Sequence, residues 1–324
     1  MKLRIPQGPK GSSGFDAIAM ETFHFQAAEN PVYQKYLEIL NPGLPEIRSA
    51  GDIPFMPVEF FKSHRVVTGH GRESRVFESS GTTGSDTSRH FIVDEEIYID
   101  SLESGFRHFF GEPAEYCFLA LLPSYLERQN SSLVFMMDHL IRKSNHPLSG
   151  FYLNNLDDLE IRLLELEKSG QKTMLLGVTY ALLDLAERFS AKLHHTIVVE
   201  TGGMKGRREE ITRRELHRIL QTAFGTEAIG SEYGMTELLS QAWSTANGIF
   251  HTPPWMKIRI RDPYDPFREM PVGKSGGIDV IDLANRFSCS FIQTQDLGRL
   301  HPDGSFEVLG RFDNSELRGC NLLV

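Results

Sequence analysis

The sequence predicts an α/β fold of layered α/β subdomains with a smaller β-rich subdomain, on three observations. Short apolar strands alternate with helices of spaced apolar positions through the middle of the chain, the pattern of an α/β sheet flanked by helices. After about Gly248 the helical spacing disappears, and short β-type runs follow one another between Gly, Pro and Asp turns. Length is the third observation, since 324 residues correspond to about two domains. The expected division is residues 1–248, an α/β body with an N-terminal helical segment, and residues 249–324, a β-rich subdomain. There is no internal repeat and no low-complexity tract.

Taken in order, Phe15 to Leu40 reads as helical, with a break at Pro31. The stretch GDIPFMPVEFFKSHRVV reads as extended and loop-like, because each X-Pro step disfavours helix. Strands are expected at Val76–Glu78, His90–Val93, Tyr116–Leu122, Thr173–Val178 and Thr196–Glu200. Helices are expected on the faces Leu133, Met136, Met137, Leu140, Ile141, then Leu156, Leu159, Leu163, Leu166, and later Leu216, Ile219, Leu220, Phe224. In the tail, PPWMKIRIRDP, GGIDVID, CSFIQT and GSFEVL carry the strands.

Composition excludes several classes of function. Hydrophobic residues at 40% and charged residues at 24% are globular values, not those of a disordered chain. A net charge of −9 argues against binding to a nucleic-acid backbone, which needs a concentrated basic surface. No run approaches the roughly 18 apolar residues of a membrane span, so stable membrane insertion is not expected. The start MKLRIPQGPKGSSG has no apolar core and does not read as a signal peptide. Cys117, Cys289 and Cys320 are too few for a disulfide framework and lack metal-binding spacing. A cytoplasmic protein is the expectation.

Four segments can carry chemistry. SSGTTGSDTS at 79–88 gathers hydroxyls around two glycines between two expected strands, and such loops let backbone N–H groups converge on phosphate. It is not a Walker A loop, since no GxxxxGK[ST] is present, and a flexible surface turn has the same composition. TGGMKG at 201–206 follows the apolar strand TIVVE, where paired glycines let a flat ligand approach the backbone and Lys205 adds a cation. An ordinary strand-to-helix turn is the alternative. SEYGMTE at 231–237 offers an aromatic plane at Tyr233, a glycine at Gly234, a hydroxyl at Thr236 and a carboxylate at Glu237. A tyrosine packed at a helix start, with Thr and Glu capping, would also fit. In TQDLGRLHPDGSFEVLGRFDN at 294–314, Asp296 can accept hydrogen bonds from two vicinal hydroxyls, and Arg299 and Arg311 flank an expected DG-turn hairpin. A GxGxxG opening a helix is absent, which disfavours a dehydrogenase.

The order SSGTTG, then GG after a buried strand, then EYGMTE, then TQDLGRL…GSFEVLGRFDN…LRG resembles the motif series of the adenylate-forming enzymes, which include acyl-CoA synthetases, luciferases and peptide-synthetase adenylation domains. The resemblance implies the large N-terminal body of that fold, with ATP and Mg²⁺ as cofactors. It implies that Ser80, Gly81, Thr82, Thr83 and Gly84 hold the β- and γ-phosphates. Gly202 and Gly203 would line the adenine site, and Tyr233, followed by Gly234, would stack on the base. Thr236 would contact the α-phosphate, Glu237 would bind Mg²⁺, and Asp296 with Arg311 would hold the ribose. Asp313 matches the hinge to the C-terminal lid domain.

Two departures stand out. The phosphate loop of those enzymes ends in a Pro-Lys pair, whereas Gly84 is followed by Ser85-Asp86-Thr87-Ser88, and the lid domain with its lysine is not in the sequence. Losing one preorganised charged donor costs on the order of 3 kcal/mol in such sites, and Lys205 is the candidate to compensate. FMPVEFFKSHRVV, MLLGVTYALLDLA, TGGMKG and the terminal LRGCNLLV further resemble acyl-protein synthetases, the fatty-acid-activating components of bacterial bioluminescence reductase complexes. That resemblance implies activation of a carboxylic (fatty) acid, acyl transfer to Cys320, and an acyl-accepting protein partner such as a reductase. Two alternatives remain: an acyl-CoA ligase whose lid is a separate chain, and a non-catalytic subunit that binds nucleotide or acyl chains.

Overall fold

A computed structural model describes residues 12–40, 46–79, 87–122, 130–152, 155–202 and 211–312. In chain order the first elements are α1 (Ser12–Glu29), α2 (Pro31–Leu40), β1 (Met56–Pro57), α3 (Phe60–Ser63), β2 (Arg75–Glu78), β3 (Arg89–Ile92) and α4 (Glu95–Phe110). Then come β4 (Cys117–Leu121), α5 (Ser132–Ser144), β5 (Gly150–Tyr152), α6 (Leu156–Ser169), β6 (Thr173–Val178), α7 (Thr179–Ala186), β7 (Thr196–Thr201) and α8 (Arg213–Phe224). The last are β8 (Gly230–Tyr233), β9 (Ala242–Ser244), β10 (Ile249–Phe250), β11 (Met256–Arg261), β12 (Ser275–Asp282), β13 (Phe291–Leu300) and β14 (Phe306–Arg311).

These elements form two compact units, one from the described parts of 77–80 and 99–250, the other from the described parts of 1–76, 81–98 and 251–324. In the first unit the sheet runs β5-β4-β6-β7-β8-β9, parallel from β5 to β8, with β9 antiparallel at the edge. CFLAL and TMLLGV are buried at every position, as strands covered on both faces must be. The helices bring apolar stripes to the core: Met136, Met137 and Leu140 from α5, Leu159, Leu163 and Leu166 from α6, Leu216, Leu220 and Phe224 from α8. Side-chain caps fix their starts, at Ser131, Asn155 and Thr212. The connection leaving β4 leads to β5 on one side and that leaving β6 leads to β7 on the other, so the strand order reverses between β4 and β6. In open α/β sheets ligands bind outside the carboxyl ends of the strands near such a point.

In the second unit β11, β12, β13 and β14 form an antiparallel sheet, and β1 runs parallel to β13. The sequence grouped the N-terminal segment with residues up to 248; its contacts are instead with the β-rich unit. The reason is a buried polar and aromatic seam. Gln26 Nε2 donates to the carbonyls of Asn285 and Arg286 and its Oε1 accepts from Ser290 N–H, while Asn30 Nδ2 donates to Ser288 O. Around it Tyr33 lies over Phe291 with ring centroids 6.3 Å apart, and Phe23 and Phe55 meet Phe291 edge-on. Each fully buried aromatic there contributes roughly 1.5–3 kcal/mol by removal of apolar surface from water. Among the described residues no helix is long and apolar enough to cross a membrane.

The proline-rich stretch expected to be extended holds β1 and the single turn α3. The strand expected at CSFIQT starts at Phe291, leaving Cys289 before it in a buried turn. Two helices, α4 and α7, go beyond the sequence expectations.

Candidate functional site

The carboxyl ends of β7 and β8 bring together the central residues the sequence singles out. The register pairs Val199 with Gly230 and Glu200 with Ser231, so the strand ends carrying Gly202 and Tyr233 lie side by side. Gly202 has φ +71°, a left-handed conformation that favours glycine, and a Cβ there would meet nothing within 4 Å. Among the described residues, nothing stands against the Gly202 backbone on that side. Tyr233 is buried at 7% exposure, its ring centroid 6.0 Å from that of Phe250, over which the Arg213 guanidinium lies at 5.1 Å. Beyond Tyr233 the chain makes a turn, closed by Leu238 N–H to Met235 O at 3.1 Å, and no helix starts there. That turn carries Gly234, a half-buried Thr236 and a Glu237 that is 6% exposed.

Beneath this surface lies a polar network that sequence reasoning missed. Glu200, 3% exposed, receives Arg213 Nε at 3.2 Å and lies 3.6 Å from His217 Nε2. Burial raises the Glu200 pKa, but the His217 hydrogen bond and the Arg213 charge outweigh it and hold the carboxyl below the usual range. His217 Nε2 also meets Ser231 Oγ at 3.2 Å. Because one nitrogen faces both the serine and the glutamate, His217 cannot relay a proton from Ser231 to Glu200, and the trio is not a nucleophilic triad. Thr179, the first residue of α7, donates to Gly202 O at 3.1 Å and reaches Glu200 Oε2 at 3.5 Å. Thr201 Oγ1 donates to Glu232 Oε2 at 2.5 Å. Burial pushes the Glu232 carboxyl up to about 7, with the Glu200 charge adding and the Thr201 bond opposing. The signal that would have found this network is a carboxylate inside each of two short strands, the largely apolar TIVVET and its neighbour GSEY.

In the β-rich unit, Asp296 and Arg311 face one another across β13 and β14, in register. Arg311 Nε bonds Asp296 Oδ1 at 3.3 Å, and Asp296 N–H donates to Thr294 Oγ1 at 3.1 Å. Asp296 is 7% exposed, whereas the Arg311 side chain is 79% exposed. The hairpin expected between Arg299 and Arg311 is present, with Leu300 opposite Phe306.

Ser80, Gly81, Thr82, Thr83, Gly84, Gly203, Lys205, Asp313 and Cys320 lie outside the described residues. β2 and β3, on either side of the 79–88 segment, pair as a two-stranded sheet. Cys117 and Cys289 are buried, and burial pushes their thiols up to about 11 and about 12, which removes both as nucleophiles near neutrality. Among the described residues no group of three or more His, Cys, Asp or Glu is placed to hold a metal ion. Mg²⁺ held by one carboxylate together with substrate phosphates needs no such group, and Glu237 supplies one carboxylate on the turn after β8.

No sequence family and no curated protein matches the chain. Solved structures do. The ATP-bound MatB of Rhodopseudomonas palustris superposes with a TM-score of 0.56 at 18% identity, over 75% of this chain and 49% of that one. A long-chain-fatty-acid-CoA ligase (FadD1) from Archaeoglobus fulgidus gives 0.55 at 15% identity, over 76% and 52%. An open conformation of 2-hydroxyisobutyryl-CoA ligase, in complex with 2-HIB-AMP and CoA, gives 0.63 at 12% identity, over 92% and 69%. The chain thus spans about half the length of MatB and of FadD1. Its fold is that of the N-terminal body of these structures.

Proposed function

We propose that this chain activates a carboxylic acid by adenylation. The substrate carboxylate attacks the α-phosphorus of ATP, the bond from that phosphorus to its bridging oxygen breaks, and pyrophosphate leaves with the electron pair. The observation that carries the reading is the meeting of Gly202, unobstructed among the described residues, with the Tyr233–Glu237 turn at the carboxyl ends of parallel strands. In this reading Ser80, Gly81, Thr82, Thr83 and Gly84 cradle the β- and γ-phosphates, while Gly202, Gly203, Tyr233 and Gly234 receive the base. Asp296, oriented by Arg311, accepts from the ribose hydroxyls, and Thr236 donates to the α-phosphate. Mg²⁺, held at Glu237, supplies charge neutralisation to the phosphates. The work of the protein is positioning and electrostatic stabilisation. The Cys320 thiolate then attacks the acyl carbon, AMP leaves, and the acyl group passes to a partner protein. A fatty acid suits the resemblance to acyl-protein synthetases.

Carboxylate-dependent exchange of labelled pyrophosphate into ATP, run across a panel of acids, tests the first step. Exchange with none of them would favour a non-catalytic nucleotide- or acyl-binding subunit, and release of free acyl-CoA would favour a CoA ligase with a separate lid. A Thr82→Ala/Glu237→Ala double variant should weaken Mg·ATP binding at least about tenfold in calorimetry, since a hydrogen bond to a charged group contributes ~1.5–3 kcal/mol. Equal affinity would reject both assignments. Lys205→Ala should slow adenylation by at least about tenfold, or ~1.4 kcal/mol, if Lys205 replaces the loop and lid lysines. An unchanged exchange rate would return Lys205 to the solvated surface.

A further inference from the structure

Glu232 has no part in the chemistry above, yet it lies between the residues assigned to the nucleotide. Its Oε2 accepts from Thr201, the neighbour of Gly202, and its Oε1 occupies the space where a Cβ on Gly234 would stand. The carboxyl group therefore joins the end of β7 to the turn after Tyr233 and is part-exposed there. Among the described residues the charged groups around it are unevenly shared. From α8, Arg213 and His217 approach Glu200. From β7, Glu232 faces the Thr201 hydroxyl and the Glu200 carboxylate itself. An added negative charge would fall on a carboxyl group already facing another.

We propose that Glu232 couples nucleotide binding to proton uptake: as a nucleoside triphosphate binds beside Gly202 and Tyr233, the Glu232 carboxyl group shifts toward its protonated form by drawing protons from solvent. This rests on the nucleotide reading given above. The physical cause is Coulombic: Mg·ATP keeps a net negative charge, and one unit of it at about 10 Å, at an effective dielectric of about 20, would raise a carboxyl by about one pH unit. A group near the neutral range then passes from mainly ionised to mainly protonated on binding. By linkage, affinity is highest below the free-state titration and falls as pH rises through it, by about tenfold in total for a one-unit shift. Protonated Glu232 keeps an oxygen to accept from Thr201, so the join between the strand ends survives the change.

Titration calorimetry of the full chain with Mg·ATP at pH 7.5, in buffers of differing ionisation enthalpy, counts the protons. The wild-type protein should take up about half a proton, and its affinity should fall about tenfold across Glu232's titration. Glu232→Gln, which retains the acceptor for Thr201, should bind with a smaller uptake and a flatter pH profile. Wild-type binding without uptake, or the same uptake in Glu232→Gln, would overturn the coupling while leaving the nucleotide site intact. A wild-type count near zero overturns the coupling even where the variant fails to fold. Absence of Mg·ATP binding at any pH would overturn the nucleotide reading and the coupling together.

Discussion

Cys320→Ser should abolish a covalent acyl adduct while leaving pyrophosphate exchange largely intact. Incubation with ATP, Mg²⁺ and an accepted acid should give the wild-type protein a thioester that neutral hydroxylamine cleaves and mass spectrometry maps to Cys320. The other two cysteines cannot substitute. Cys117 is enclosed within β4 and Cys289 in a turn before β13, and both thiols are held far above neutrality by burial. Cys320 follows Arg318 and Gly319, and a neighbouring guanidinium raises the thiolate fraction of a thiol that otherwise titrates near ~8.5. Adenylation and thiol transfer involve different bonds, so removal of the thiol separates them cleanly. An adduct on another residue, or one that persists in Cys320→Ser, would refute the acyl-protein synthetase mechanism. Loss of exchange in that variant would instead place Cys320 in the first step.

What the sequence made legible is what local pattern controls. The runs CFLAL, TMLLGV and TIVVET are strands because they are short, apolar and bounded by turn residues, and α5, α6 and α8 show their buried faces in the spacing of their leucines and methionines. Pro31 separates two helices as its missing N–H requires. The tail strands from Met256 to Arg311 were marked out by Gly, Pro and Asp. The illegible parts depend on contacts distant in sequence. In MLLGVTYALLDLA one apolar run contains both β6 and α7, and periodicity cannot divide a run buried on all sides. The N-terminal helices join the β-rich unit through Gln26 and Asn30, whose partners lie about 260 residues away. Within the candidate site, the Tyr233–Glu237 segment was legible as a motif. The meeting of Glu200, Thr201 and Glu232 was not, because it arises from the register of β7 on β8.

The largest expected loss of stability comes from Asp279→Ala. Asp279 has no exposed surface and stands opposite Arg259 in the β11–β12 register. Its Oδ2 accepts from Arg259 Nη2 at 2.9 Å and Nε at 3.2 Å, and its Oδ1 accepts from Arg261 Nη1 at 2.8 Å. Both guanidiniums are spread over further acceptors: Arg259 to Gly51 O, Arg261 to Ile278 O and Thr294 O. Arg259 also lies 4.2 Å from the Phe55 ring centroid, so its charge is shielded from water by the aromatic seam. Truncating the aspartate leaves two buried cations without their counter-charge, which costs on the order of 3–5 kcal/mol. Removing Glu46 from Arg48, an ion pair more than 70% exposed on both sides, should cost under about 1 kcal/mol and serves as the comparison. Trp255 is buried in the same unit, so its emission in a Trp243→Phe background reports that unit's unfolding in urea. A loss below about 1 kcal/mol for Asp279→Ala would mean that water reaches the arginines and that the triad is not an anchor of the sheet. A loss in the expected range that Asp279→Asn reduces only in part would assign the stability to the carboxylate's charge rather than to its shape. The hydrogen bonds to Gly51 O and Thr294 O would then hold the arginines in place without neutralising them.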